Sequence, residues 1–130
     1  MDEIRFTIPL PPVTKKNSQR ILHRHGANGK KIPFIAPSAA FVSYQEQAGY
    51  YIRGKWMKIA YPVEITAMFY TNRTIADLPN HLNALDDMLV KYGVIADDKY
   101  GIVVSHDGSR VILDKDNPRT EVCIKILKEE

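Results

Sequence analysis

Five aspartates stand close together in an otherwise basic chain. The segment TIADLPNHLNALDDMLVKYGVIADDKYG holds Asp77, Asp86, Asp87, Asp97 and Asp98, while the chain of 130 residues has a formal net charge of +3. Neighbouring carboxylates repel one another and repel nucleic acid unless a cation lies between them. Two or three carboxylates can hold Mg²⁺, which activates water and stabilises charge on a phosphate. Metal-dependent chemistry on a phosphodiester is therefore one function that these residue types allow.

The basic residues are concentrated in a different segment. Residues 15–31 contain no acid and include His23 and His25. Such a segment is often a solvated loop, but cations and short amides also bind phosphate oxygens. We therefore name the candidate DNA contacts of this basic loop: Lys15, Lys16, Asn17, Arg20, Lys30 and Lys31.

Hydrophobic periodicity predicts the elements that position these residues. Strands are expected over Ile4–Leu10 and Val63–Thr71, and a first amphipathic helix over residues 38–53 with Ser38 as N-cap. The segments GIVVSH, SRVIL and TEVCIKIL read as three further strands, with the turn DKDNPR before the last. We predict one α/β domain spanning residues 1–130, a small mixed sheet with two helices packed on it.

The acidic segment itself is the second predicted helix. A stripe of leucines marks its buried face: Leu78, Leu82, Leu85 and Leu89. Asn80, Asn83 and Asp87 fall on the opposite face, and Asp86 lies on the flank of the stripe, where half burial is expected. Gly93 ends the helix.

Several of the acids and histidines have plain structural interpretations beside the functional ones. On local grounds Asp77 is first an N-cap, where a carboxylate accepts otherwise unpaired N–H groups. Asp97 and Asp98 fit a loop, and Asp107 fits an Asp-Gly turn as well as it fits a metal ligand. His81 and His106 are expected to be structural.

Helix length sets a constraint on any site that uses both ends of this segment. At about 1.5 Å per residue the helix separates its ends by roughly 20 Å. Asp77 and Asp98 can meet only if the chain doubles back or if a second subunit supplies its own loop. Spacing alone leaves both possibilities open.

Other features bear on the compartment. Cys123 is the one cysteine, so neither an internal disulfide nor a multi-cysteine metal site is possible. No apolar run approaches the roughly 18 residues that span a bilayer, and the start of the chain lacks the pattern of a signal peptide. We expect a cytoplasmic protein with no membrane association.

Two segments together resemble the RusA family of Holliday junction resolvases, small dimeric endonucleases found in bacteria and phages. They are FTIPLPPVTKKNSQR near the start and IADLPNHLNALDDMLVKYGVIADDKYGIV in the second half. The likeness covers nearly the whole chain and includes the Asp-Leu-x-Asn opening of the second helix, the Asp-Asp loop and a C-terminal hairpin. It implies a RusA-like fold and a homodimer.

The resemblance also implies roles for individual residues. Asp77 corresponds to the first metal-binding acid and Asp98 to the acid of the loop, with its neighbour Asp97 as auxiliary ligand. Asp107 is a second candidate for the auxiliary ligand on grounds of position, because it follows the loop and would approach the site if its strand runs back toward it. Asn80 matches the family asparagine and becomes a candidate DNA contact.

Two positions depart from the family pattern. Pro79 stands where a second acid is expected, and Asn83 stands where a lysine is expected. Asn83 can still hydrogen-bond to a phosphate, so it remains a catalytic candidate with Asp77 and Asp98, but it lacks the lysine's charge. Lys91 and Arg110 are candidates to offset that loss.

The resemblance implies a Mg²⁺-dependent endodeoxyribonuclease, with Mn²⁺ as a substitute, that resolves four-way DNA junctions by paired symmetric nicks in recombination and repair. Because two family positions differ, a non-catalytic junction-binding protein is the alternative. A small interaction domain with no DNA role is a third possibility. Metal dependence and salt-dependent DNA affinity distinguish the three.

Overall fold

The computed structural model describes residues 2–15, 20–54, 58–73, 77–97 and 101–127. Its strands and helices, in chain order, are β1 (Asp2–Ile8), β2 (Arg20–His25), β3 (Lys31–Ala36), α1 (Ala39–Ile52), β4 (Val63–Thr71), α2 (Leu78–Lys91), β5 (Val103–Ser105), β6 (Arg110–Leu113) and β7 (Arg119–Ile126). The two predicted helices and all five predicted strands are present.

The main sheet is built around β4, whose residues alternate between buried and half-buried along its length. On one side β4 pairs antiparallel with β7, which pairs antiparallel with β1. On the other side, β5 lies parallel to the first residues of β4 and β6 lies parallel to the last ones. The sheet is therefore mixed, as predicted.

Both helices pack on one face of this sheet. The core joins the inward residues of β1, β4 and β7 to the buried faces of α1 and α2. Ser38 caps α1, because its hydroxyl accepts a hydrogen bond from the Phe41 N–H at 3.0 Å. The described residues thus form a small α/β domain of the predicted class.

The first strand begins and ends two residues earlier than predicted. It covers Asp2–Ile8, whereas the alternation of residue types had suggested Ile4–Leu10. Pro9 follows directly, and a proline has no N–H with which to continue the ladder. The Leu10 N–H instead donates back to the Ile8 carbonyl at 2.9 Å.

The expected basic loop is in part a second, two-stranded sheet, and this corrects the predicted element order. β2 and β3 pair antiparallel, with Arg20 opposite Ala36 and His25 opposite Lys31. The turn between them has Asn28 and Gly29 at positive φ. We call β2, β3 and their turn the ribbon. Pro33 and the scattered polar residues obscure the alternation that marks a half-buried strand, so the sequence pattern does not predict the ribbon.

The end of α2 is closed by a Schellman motif. The Val94 N–H donates to the Leu89 carbonyl at 2.9 Å, and the Gly93 N–H donates to the Val90 carbonyl at 3.1 Å. Gly93 has φ +75°, a conformation that glycine adopts without steric cost, so it ends the helix as predicted. Among the described residues, no helix combines the length and the apolar character that a bilayer crossing requires.

Candidate active site and nucleic-acid interface

Asp77 lies at the N-cap of α2, after the carboxyl end of β4. Its main-chain carbonyl accepts hydrogen bonds from the N–H groups of Asn80 (3.1 Å) and His81 (3.2 Å). Its carboxylate makes no capping hydrogen bond to the helix, and the residue is exposed. The N-cap interpretation is therefore correct for the main chain and wrong for the side chain, because the carboxylate does not cap the helix.

Polar residues continue from Asp77 along the outer side of α2. Asn83 and Asp87 are exposed, and Asn80 is half-buried. At about 100° per residue, these three positions lie within roughly 60° of one another around the helix axis. The predicted polar stripe is present, and Asn80 and Asn83 lie on it within two turns of Asp77.

Asp97 lies at the opposite end of α2 from Asp77. The segment before it runs beside residues 58–60: the Lys58 N–H donates to the Gly93 carbonyl (2.7 Å), and the Ala96 N–H donates to the Ile59 carbonyl (2.9 Å). Residues 58–60 precede β4, whereas Asp77 follows it. Helix length separates the two ends of α2 by roughly 20 Å. One chain does not bring Asp97 to Asp77, and Asp98 lies outside the described residues.

Asp107 forms the Asp-Gly turn that was one of its two interpretations. Its N–H donates to the Ser105 hydroxyl at 3.1 Å, and its carbonyl accepts a hydrogen bond from the Thr66 hydroxyl at 3.0 Å. Gly108 supplies the positive φ of this turn. Thr66 is in the middle of β4, so Asp107 lies at the edge of the sheet rather than beside the start of α2.

A buried carboxylate of α2 pairs with a half-buried imidazole in the connection between β5 and β6. Asp86 is 6% exposed, and its Oδ2 lies 2.8 Å from His106 Nε2. The hydrogen bond to Asp86 raises the pKa of His106. Asp86 is more deeply buried than its flanking position predicted. The pairing has no sequence signal, because 20 residues separate the partners.

His81 is structural, as predicted. It is buried in α2 and stacks on Phe69 of β4, with ring centroids 4.9 Å apart. Burial lowers the pKa of His81, so the neutral imidazole is favoured against this aromatic neighbour.

A further acid, Asp114, lies at the carboxyl end of β4. Its N–H donates to the Thr71 carbonyl at 2.7 Å. The N–H of Asn117, together with that of Asp116 and the guanidinium of Arg119, lowers the pKa of Asp114. One carboxylate oxygen accepts the two N–H groups of the turn before β7, and the other accepts from Arg119 at the start of β7. The turn itself was predicted from the sequence.

The described residues contain no group of three or more histidine, cysteine, aspartate or glutamate side chains placed to hold a metal ion. Lys91 does not lie beside Asp77 either, and Arg110 belongs to β6. Lys91 is at the far end of α2, where it donates to Gln45 at 3.1 Å, and Arg110 pairs with Met68 within the sheet.

The candidate DNA contacts fall on two exposed surfaces. Lys15 lines a groove between α1 and α2 with Gln45 and Lys91. Arg20, Lys30 and Lys31 are exposed on the ribbon. Arg20 also ties the ribbon to the start of α1, because its Nε donates to the Pro37 carbonyl at 3.0 Å. Lys16 and Asn17 lie outside the described residues.

Comparison of the chain with models of known protein families and with curated proteins found no match. The fold by itself defines the class of the protein: a small α/β domain with a mixed sheet, two helices and a basic ribbon.

Proposed function

We propose that this protein is a RusA-like endonuclease that binds four-way DNA junctions and nicks them in a Mg²⁺-dependent reaction. The observation that carries the proposal is the segregation of charge. Seven lysines and arginines and no acid occur between Ile4 and Gln45, the part of the chain that contains the ribbon. The motif acids Asp77 and Asp97 lie at the two ends of α2, and cations that grip phosphates beside acids that hold a metal suit a nuclease.

The placement of the acids bears on how a metal site is built. A Mg²⁺ site that uses Asp77 together with the Asp97–Asp98 loop requires two copies of the chain, since one copy keeps Asp77 and Asp97 at opposite ends of α2. In a two-fold dimer with antiparallel α2 helices, each helix start meets the loop of the other copy. Such a dimer has two equivalent sites, which fits paired nicks.

Bound Mg²⁺ supplies an activated water and neutralises charge on the phosphate under attack. The residues of the chain orient the DNA around that position. Asn80 and Asn83 offer amide donors to phosphate oxygens from the face of α2 that follows Asp77. The exposed cations of the ribbon and Lys15 neutralise neighbouring phosphates, so DNA affinity should fall steeply with salt.

Cleavage of a synthetic four-way junction in Mg²⁺ and in Mn²⁺ tests the proposal. Wild type should give paired symmetric nicks. Asp77→Asn and Asp98→Asn should each lower the rate by at least about a hundredfold, the order expected for losing a metal-ion contribution of several kcal/mol, with junction binding retained. Glu46→Gln, which neutralises an exposed acid of α1, is the matched control and should cleave as wild type does.

Binding without cleavage in either metal would favour the alternative, a non-catalytic junction-binding protein. Pro79 and Asn83 are the residues that motivate this alternative, because each replaces a charged residue of the family pattern. Affinity that is indifferent to salt and to junction structure would contradict both functions.

A further inference from the structure

One face of the ribbon is fully exposed and carries a pair of large apolar side chains. Cross-strand pairing sets Ile21 opposite Ile35, and the two residues are 68% and 69% exposed. His23 and Pro33 form the next pair on this face, and all four residues are exposed. The reverse face is different, since Leu22 and Phe34 are half-buried.

The two isoleucines form one continuous apolar patch. Side chains directly opposite each other in an antiparallel pair have Cβ atoms about 5 Å apart. Isolated apolar residues on a surface are ordinary, but here two β-branched side chains adjoin at a defined register, with most of their surface in water. Covering this patch would stabilise a complex through the hydrophobic effect.

The charge around the patch indicates what covers it. The face of the patch also carries His25 and Lys31, whereas Arg20 and Arg24 lie on the reverse face and Lys30 ends the turn. The acid-free stretch from Ile4 to Gln45 supplies no compensating carboxylate within the ribbon. A second copy of the chain docked ribbon to ribbon would bring like charges together. A polyanion with apolar surface between its charges matches both features, and DNA with unstacked bases has that composition.

We propose that the ribbon binds at the branch point of a DNA junction, with the Ile21–Ile35 pair packed against base pairs that have no stacking neighbour on one side. This inference rests on the proposed function. Apolar side chains inserted at base steps are an established way of holding distorted DNA, and a two-stranded ribbon is narrow enough to enter a major groove. Four residues of β2 follow Ile21 and end at His25, so the ribbon extends about 13 Å beyond the Ile21–Ile35 pair at about 3.3 Å per residue. Lys30 and Lys31 therefore reach phosphates on one arm.

The double variant Ile21→Thr/Ile35→Thr tests the inference, because threonine keeps the β-branched shape and removes apolar surface. Affinities for a four-way junction and for a duplex of the same arm sequence are measured in EDTA over a range of salt. The preference for the junction should fall by about tenfold, with the salt dependence unchanged. A fluorescent adenine analogue beside the branch point should brighten on binding wild type and not the variant.

Two controls separate apolar packing from charge and from general surface effects. Lys30→Gln/Lys31→Gln should weaken binding to both DNAs and lower the salt slope by about 0.9 for each phosphate that the variant no longer neutralises. Val104→Thr, at an exposed position of β5, should leave the junction preference intact. Circular dichroism checks that every variant is folded.

An unchanged ratio of junction to duplex affinity in the isoleucine variant would overturn the inference and leave the proposed function standing. Conversion of a wild-type dimer to monomer by the same variant, seen in sedimentation equilibrium, would also overturn it, because the patch would then join two copies. Absence of junction preference in wild type would instead overturn the proposed function, and the inference with it.

Discussion

At the scale of single residues, the Asp86–His106 pair joins helix to sheet through a hydrogen bond. Asp86 Oδ2 and His106 Nε2 are 2.8 Å apart, and the imidazole retains 31% side-chain exposure. Folding raises the pKa of His106 because the buried carboxylate stabilises the imidazolium. The pair thus makes the attachment of α2 to the β5–β6 edge depend on pH.

The free energy of unfolding should reflect this pair with a definite sign. Because the folded-state pKa is raised, the stabilisation is fully present below the ordinary imidazole pKa of about 6.5 and is lost as the pH rises through the folded-state pKa. His106→Gln should therefore cost on the order of 1 kcal/mol at about pH 5.5 and less at about pH 8.5. Urea denaturation across this range measures the difference.

The partner variant provides the control for this prediction. In an Asp86→Asn background the imidazolium loses its carboxylate, so His106→Gln should have nearly the same cost at both ends of the pH range. A pH-dependent cost that survives in that background would assign the effect to another group.

At the scale of elements, α1 and α2 meet at a glycine. A Cβ built on Gly49 of α1 would lie 2.6 Å from Cζ and 2.9 Å from the hydroxyl of Tyr92, the residue that follows α2. The Tyr92 hydroxyl donates to the Gln45 carbonyl at 2.7 Å, and the Arg53 guanidinium lies 4.8 Å from the centre of the ring. Glycine therefore lets the Tyr92 ring approach the backbone of α1 closely.

Gly49→Ala should destabilise the protein by about 1–2 kcal/mol, since the clash outweighs the gain in helix propensity. The same substitution in a Tyr92→Leu background should stabilise by up to about 1 kcal/mol, because the propensity gain remains and the clash is gone. Thermal or urea unfolding of the four chains measures both steps. Equal effects in the two backgrounds would mean that Tyr92 does not determine the requirement for glycine.

At the scale of the whole molecule, the acids at the two ends of α2 determine whether a metal site is built from one copy of the chain or from two. Asp77 follows β4 in the chain. The segment from Gly93 to Ala96 is hydrogen-bonded to Lys58 and Ile59, which precede β4. Helix length keeps these ends roughly 20 Å apart. A site that needs acids from both ends is therefore shared between copies under the function proposed above.

Mixing inactive variants tests this arrangement. If sites are shared, Asp77→Asn chains mixed with Asp98→Asn chains form heterodimers with one doubly substituted site and one intact site. With random exchange, about a quarter of the wild-type number of sites should return, and these should give single rather than paired nicks. Gel analysis of junctions labelled on each strand distinguishes the two products.

The control reverses the expectation. A chain carrying both substitutions, mixed with wild type, should form inactive heterodimers if sites are shared, whereas sites built within one chain would leave those heterodimers able to nick. Wild-type homodimers in this second mixture give paired nicks under either arrangement. Additional single nicks in the second mixture, with no nicks in the first, would contradict the shared site.

Local sequence patterns predicted most of the elements. Val63, Ile65, Ala67 and Phe69 alternate along the chain and so share one face of a strand, and this segment is β4 with the predicted bounds. Ser38 caps α1 and Gly93 ends α2, at the positions that the sequence predicted for them. The ribbon was missed because its strands bury little surface, so no apolar periodicity marks them.

The sequence by itself determined the elements, since hydrophobic period, capping groups and glycine conformations act over a few residues. It also determined the charge balance and where acids are absent. Only the tertiary structure decided which distant residues meet. It buried Asp86 against His106, fixed Asp107 beside Thr66 in a turn, and set Asp77 and Asp97 at opposite ends of α2. The physical reason is that such meetings depend on how the sheet and helices pack, and contacts between residues far apart in the chain leave no local pattern.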